Sequence, residues 1–410
     1  MPSALLESLR ALPGGGPLLD AARTVSQVTP VHLVGGSVRD LLRGIAPREL
    51  DVVVEGEIAP LLELLGGVSV VHDRFGTASA SVEGANVDVS RSRCERYAQP
   101  GALPDVEPAP LELDLLRRDF TVNAIAVSLP GGHERAAPHA REDLANGVLR
   151  VLHEQSFIDD PTRLWRLGRY AARLGFAIQA HTAELARDAL ASVSGARIGA
   201  ELRLALAEQE AIGALEQLRA LGVLEAARLG GGVGERAMRE ALALLPADGR
   251  PDLLLLASLF VDSHGASSLS GAGELAALLD TLAFLAADRD RVVASVLALR
   301  RLLDELPSSS QPSRLHALVA PVPIEAVALA GALDFQAGGE PAERGRANAE
   351  RWLSELRHVR VQISGDDLIA AGVPQGPEIG RRLRTVLEQR LDGELADGRD
   401  AELRAALEAP

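Results

Sequence analysis

The feature that most constrains this chain is a change of period near residue 157. Between about residues 30 and 130, short β-type runs alternate with turns. Downstream of 157, leucine and alanine recur at three- and four-residue spacing, with charges between them, nearly to the end. His32–Val34, Asp51–Val54, Val68–Val71, Ala78–Val82 and Asn86–Val89 read as strands, several separated by glycine-bearing turns. Thr121–Ser128 reads equally as a strand or as the start of a helix, and residues 131–138 read as a loop. Breaks in the helical part fall at 230–234, 307–312 and 338–341. The pattern is that of a small α/β head followed by a long helical remainder. With 410 residues, two to four domains are expected.

Composition narrows the function. All 42 Lys/Arg-type cations are arginine, yet the formal charge is −15, which argues against blanket adhesion to nucleic acid but leaves room for a local basic surface. The one cysteine, Cys94, excludes an internal disulfide framework and a cysteine-based zinc site. Met1–Gly16 contains Glu7, Arg10 and Pro13 and does not read as a secretory signal. The most apolar run, Leu253–Val261, is far shorter than the ~20 residues needed to span a bilayer. No membrane association and a cytoplasmic location are therefore expected.

Three stretches carry chemistry. In Leu33–Gly56 a strand runs into Gly35-Gly36, and a helix is expected from near Ser37. Paired glycines let the backbone approach a ligand, and amides at a helix start favour anions. Arg39 follows within the first turn, and Glu49 and Asp51, two apart on a strand, point the same way. Two oxygen ligands beside a phosphate cradle suit Mg²⁺, which also needs substrate phosphates. Arg117–Ala124 (RRDFTVNA) sets two arginines beside Asp119, a lattice that can leave one guanidinium for a phosphate. Ser156–Phe176 begins a helix at Asp159-Asp160-Pro161, and Arg163, Arg166, Arg169 or Tyr170, and Arg173 then form one stripe. A stripe of like charge calls for an anionic ligand or for acidic partners elsewhere in the chain.

In the order GGSVRD at 35–40, ELD at 49–51, RRDFTVNA at 117–124 and DDPTR at 159–163, the chain resembles the class II tRNA nucleotidyltransferases and bacterial poly(A) polymerases. The match is strong over residues 33–176 and weaker over 363–395. The resemblance implies an α+β fold: a polymerase-β-like nucleotidyltransferase head with a mixed sheet (residues 1–130), then an elongated all-α neck (131–200), body (201–355) and tail (356–410). It implies Gly35, Gly36 and Arg39 at the triphosphate, Glu49 and Asp51 as catalytic Mg²⁺ ligands, and Arg117 at the nucleotide. Asp160 and Arg163 would read the edge of the incoming base, with Arg166 and Arg169 near the phosphates. Arg74–Thr77 and Arg93–Pro104 resemble intervening family positions. Asp88 is either a third metal carboxylate or a strand-edge polar residue. The implied partners are the tRNA 3′ end, CTP and ATP, and tail arginines Arg381, Arg382, Arg384 and Arg390 would meet tRNA or cap a surface helix.

The chain departs from the family at Glu49, where Asp is usual, and at Ala136 and Ala140, where Asp and Gly are usual in a hinge segment. The expected activity is addition of CCA, or of CC or A alone. Poly(A) synthesis on the same scaffold and a catalytically silent RNA-binding protein are the alternatives. The one His-Asp doublet, His72-Asp73, lies in the head, so no phosphohydrolase domain is expected in the body.

Overall fold

The computed structural model describes residues 2–72, 76–189, 195–230, 232–262, 271–337 and 339–409. Of the stretches named above, Asp73, residues 74 and 75, residue 231 and residue 338 lie outside the described residues. The chain divides into two compact units, Met1–Ser194 with Gln217–Val223, and Gly195–Glu216 with Leu224–Pro410.

The first unit begins with α1 (Pro2–Arg10), α2 (Gly15–Val25), β1 (Val31–Val34), α3 (Gly35–Leu42), β2 (Leu50–Val54), α4 (Ala59–Leu65), β3 (Val68–His72), β4 (Thr77–Val82) and β5 (Ala85–Arg91). A ribbon of β6 (Arg93–Arg96) and β7 (Asp105–Pro108) follows, then α5 (Leu111–Leu116), β8 (Ile125–Leu129), β9 (Glu134–Ala136) and α6 (Ala140–Asn146). After β10 (Val148–Leu149) come α7 (Ser156–Asp159), α8 (Thr162–Leu174), β11 (Ala177–Ile178) and α9 (Ala180–Asp188).

Seven strands form one mixed sheet in the order β3-β4-β5-β2-β1-β8-β9. β2 and β5 run parallel, and the other neighbours are antiparallel. β1 is buried along its whole length, as a central strand covered on both faces should be, whereas β4 alternates between buried and more exposed positions. Leu111 and Leu115 of α5 cluster with Val34, Val53, Ala124 and Ala126 behind the sheet. This packing carries the arginines that follow α5 to the open end of β1 and β2.

Local reading and structure differ at a few elements. The ambiguous Thr121–Ser128 segment splits into a 3₁₀ turn over Thr121–Asn123 and strand β8. Polar side chains explain the split: Thr121 Oγ1 donates to Asp143 and Asn123 Nδ2 donates to Asp119, leaving only the apolar run free to pair. Residues 131–138, read as loop, hold β9, whose three residues are all exposed and therefore show no apolar alternation. α3 starts at Gly35 rather than near Ser37. Ala136 ends β9 and the fully buried Ala140 opens α6, preceded by His139 at φ 63°.

The second unit is helical in its described regular elements, from Gly195–Leu206 to Arg399–Glu408. Pro251–Ser258, which overlaps the most apolar run of the chain, is buried from Leu253 onward. Ser364 caps Gly365–Ala370 through a reciprocal bond with Asp367, and Ile363, Leu368, Val373, Val386 and Ala406 form a separate C-terminal core. Three of the four tail arginines named above have acidic partners on their own unit, Arg381 and Arg382 with Glu378 and Arg390 with the fully buried Glu402. Among the described residues no single helix is long and apolar enough to cross a membrane.

Candidate active site

The first unit carries a cleft of about 630 Å³ where β1 ends, where β2 starts beside the middle of β5, and where α3 and α8 begin. Gly35 sits at φ +66°, and a Cβ there would fall 2.9 Å from Arg118 Nη1 and 3.3 Å from Asp51 Oδ2. The position therefore needs glycine for both its conformation and its space. Ser37, in the first turn of α3, ties the two motifs together. Its hydroxyl donates to Glu49 O at 2.9 Å and accepts from Asp51 N at 2.7 Å, which fixes the start of β2 against the helix.

Glu49, Asp51 and Asp88 each offer a carboxylate oxygen, and the three atoms lie within 4.8 Å of one another. Parallel pairing of β2 with β5 sets Asp51 directly beside Asp88, and Ser79 Oγ donates to Asp88 Oδ1 at 2.5 Å. The longer side chain of Glu49 thus still reaches the cluster. Burial, and next the charge of Glu49, push the Asp51 carboxyl up to about 6, with Arg118 opposing. Converging carboxylates with one partly desolvated member suit a divalent cation held by oxygen ligands.

The arginines around this cluster are held in distinct ways. Arg117 donates to Asp114 at 2.7 and 2.9 Å and to Glu95 at 2.8 Å, so acidic partners already occupy its guanidinium. Arg118 donates one Nη to Asp114 at 2.9 Å while the other reaches the space over Gly35. Asp114 is fully buried. Burial alone would raise its pKa, but Arg118 and Arg117 outweigh it and hold the carboxyl below the usual range. Arg39, 1 % exposed, donates to Asp40 and, at 2.6 Å, to Asn123.

Asp119, read as an ion-pair partner, accepts from Arg166 at 2.8 Å, from Asn123 at 2.9 Å and from the Phe120 amide at 2.8 Å. Burial works against its charge, but Arg166 and these bonds prevail and hold it at about 2. Just ahead of α8, Asp160 Oδ1 accepts from Thr162 N at 3.1 Å and Thr162 Oγ1 at 2.7 Å. Arg163 donates to Ser156 Oγ at 2.8 Å and to Arg117 O at 2.6 Å.

Of the residues read from sequence, Gly35, Gly36, Arg39, Glu49, Asp51, Arg117, Asp160, Arg163 and Arg166 line this one cleft. Arg169 is buried and outside its lining, and Tyr170 takes that place on the helical stripe, between Arg166 and Arg173. Asp88, Arg118 and Tyr170 join the site without having been chosen from the sequence. For Asp88 the sequence left a third metal carboxylate and a strand-edge polar residue equally open, and Arg118 was indistinguishable from its neighbour until Asp114 and Glu95 were seen to take Arg117.

The poly(A) polymerase head-domain family matches residues 31–150. The A-adding tRNA nucleotidyltransferase of Halalkalibacterium halodurans is 41% identical over 211 residues, covering 48% of this chain and 49% of that protein. The CC-adding tRNA nucleotidyltransferase of Deinococcus radiodurans is 32% identical over 96% of this chain and 93% of its own length. The chain spans about half or less of the length of several of its A-adding relatives. Among solved structures, the Thermotoga maritima CCA-adding enzyme complexed with tRNA matches 99% of this chain and 97% of its own, with a TM-score of 0.77 and 26% identity.

Proposed function

This chain belongs to the tRNA nucleotidyltransferase family, and from that premise we propose that it extends the 3′ end of tRNA with nucleotides from CTP or ATP in the cytoplasm. The observation that carries the proposal is the meeting, in one cleft, of the Glu49–Asp51–Asp88 carboxylates with the Gly35-Gly36 turn and the arginines of three separate motifs. The tRNA 3′-hydroxyl oxygen attacks the α-phosphorus, and pyrophosphate leaves. Glu49, Asp51 and Asp88 would hold Mg²⁺, which when bound activates the hydroxyl and neutralises charge on the phosphates.

The protein's own groups do the rest by positioning. Gly35 and Gly36 admit the triphosphate close to the backbone at the start of α3. Arg39, Arg118 and Arg166 present guanidinium groups to its oxygens, and Arg39 is linked to Arg166 through Asn123 and Asp119. Arg117, tied to Asp114 and Glu95, orders the turn that carries Arg118. Asp160 and Arg163 read the base edge: a carboxylate accepts from the exocyclic amine that cytosine and adenine share, and a guanidinium donates to ring nitrogen or carbonyl. Arg163 is held in the cleft lining by Ser156 and the Arg117 carbonyl.

The test is extension of tRNA transcripts ending before CCA, after C and after CC, each with labelled CTP or ATP and Mg²⁺, resolved to one nucleotide. Extension that stops at a defined end supports the proposal, and the accepted transcripts separate CCA, CC and A addition. Long adenylate tails on a generic RNA primer would make it a poly(A) polymerase. Failure on every transcript, with an active relative as control, would refute the proposal.

A further inference from the structure

The arginines of the cleft share one neighbour. The guanidinium carbons of Arg39, Arg166 and Arg173 lie 5.5, 5.4 and 5.5 Å from the centroid of the Tyr170 ring. These residues come from different places: Arg39 from α3, and Arg166, Arg173 and Tyr170 from α8. Phe120, which follows the paired arginines, meets the same ring edge to face at 5.8 Å. Three guanidinium groups around one point repel one another, and the negative face of an aromatic ring offsets that repulsion without competing for the donors.

Hydrogen bonds close the same residues into a loop. Arg39 donates to Asn123 Oδ1 at 2.6 Å, and Asn123 donates to Asp119 Oδ1 at 2.9 Å. Asp119 Oδ2 accepts from Arg166 Nε at 2.8 Å, and Arg166 Nη2 donates to the Tyr170 hydroxyl at 3.0 Å. The Tyr170 ring beneath Arg39 completes the circuit. No carboxylate in this loop touches all three arginines, whereas the ring does.

We propose that Tyr170 is a positioning residue whose π face sets Arg39, Arg166 and Arg173 as one array for the triphosphate, and whose hydroxyl fixes the orientation of Arg166. The inference rests on the nucleotide-transfer reading of the cleft. Its consequence is that triphosphate affinity tracks the electron density of the ring and not merely its volume. Ring fluorination separates the two, because fluorine drains the quadrupole while nearly preserving shape.

The experiment uses the full chain with Tyr170→Phe as reference and mono-, di- and trifluorophenylalanine at the same position. Dissociation constants for CTP and ATP with Mg²⁺ are measured by calorimetry, and tRNA extension is followed in parallel. The expected result is a stepwise rise in both constants, reaching about tenfold for the trifluoro form, with unchanged thermal midpoints. Tyr170→Phe itself weakens binding by about threefold through loss of the Arg166 bond. A flat series overturns the proposal, since a ring that only fills space would give one. A wild-type protein that binds both nucleotides but extends no tRNA refutes the transfer reading, and the fluorine series still decides the role of the ring. A wild-type protein that binds neither nucleotide overturns both.

Discussion

Asp119→Asn is the perturbation whose cost can be worked most directly. Both carboxylate oxygens are committed: Oδ1 accepts from Asn123 and the Phe120 amide, and Oδ2 from Arg166. Asparagine has one acceptor oxygen. Placed toward Asn123 it turns an NH₂ against Arg166, and flipped it sets that NH₂ against two other donors. The depressed pKa gives the charge part. From an ordinary value near 3.9 to about 2, at 1.36 kcal/mol per unit, it is about 2–3 kcal/mol. The Arg166 side chain is 35 % exposed and can turn to water, which trims this, while the lost neutral hydrogen bond adds about 1 kcal/mol. A net loss of about 2–3 kcal/mol at pH 7 is expected, read as a shift in the urea midpoint at constant slope. The sign follows from the depression of the pKa: the stabilisation is fully present above about pH 4 and is lost as pH falls toward 2. Pairing the change with Arg166→Met in a double-mutant cycle should give a coupling of about 1–2 kcal/mol. A loss under about 0.5 kcal/mol, or a coupling near zero, would refute this account of the loop.

The other predictions concern the cleft itself. Gly35→Ala introduces a Cβ 2.9 Å from Arg118 Nη1 at φ +66°, and extension should fall by about 100-fold. Gly44→Ala, at φ +72° with nothing within 4 Å, should cost only about 1–2 kcal/mol of stability and leave extension unchanged. Glu49→Gln should lower extension about 100-fold and raise the Mg²⁺ concentration needed, while Glu49→Asp should remain within about tenfold of wild type. Thr162→Val frees Asp160 Oδ1 from its 2.7 Å hydroxyl bond and should alter the ratio of CTP to ATP use by about three- to tenfold, with Thr162→Ser restoring it.

The boundary between sheet and helix was legible because period is a local property: β1, β2, β4 and β5 sit within a residue or two of their apolar runs, and α8 begins just after Pro161. β9 escaped because an exposed edge strand has no buried face to write into the sequence. β6 and β7 escaped for the same reason, pairing through residues that are mostly half-exposed or exposed. In the helical stripe, spacing left Arg169 and Tyr170 equivalent. They differ by about 100° around the axis, and only packing decides which faces the cleft.

What sequence could not supply is the register between distant strands. Asp51 and Asp88 become neighbours only because β2 and β5 run parallel in a register that pairs them, and that register is set by two intervening strands and a helix. The same holds for the choice between Arg117 and Arg118. Adjacent in sequence and alike in chemistry, they part only when Asp114, within α5, takes Arg117 and half of Arg118. The second half of Arg118 is then aimed over Gly35 beside Asp51. A motif written as consecutive letters therefore divides its labour through a carboxylate three and four residues upstream, fully buried, whose charge both arginines stabilise against that burial. Asp114→Asn should accordingly disturb nucleotide binding through two arginines at once, although the residue is not itself part of the cleft lining.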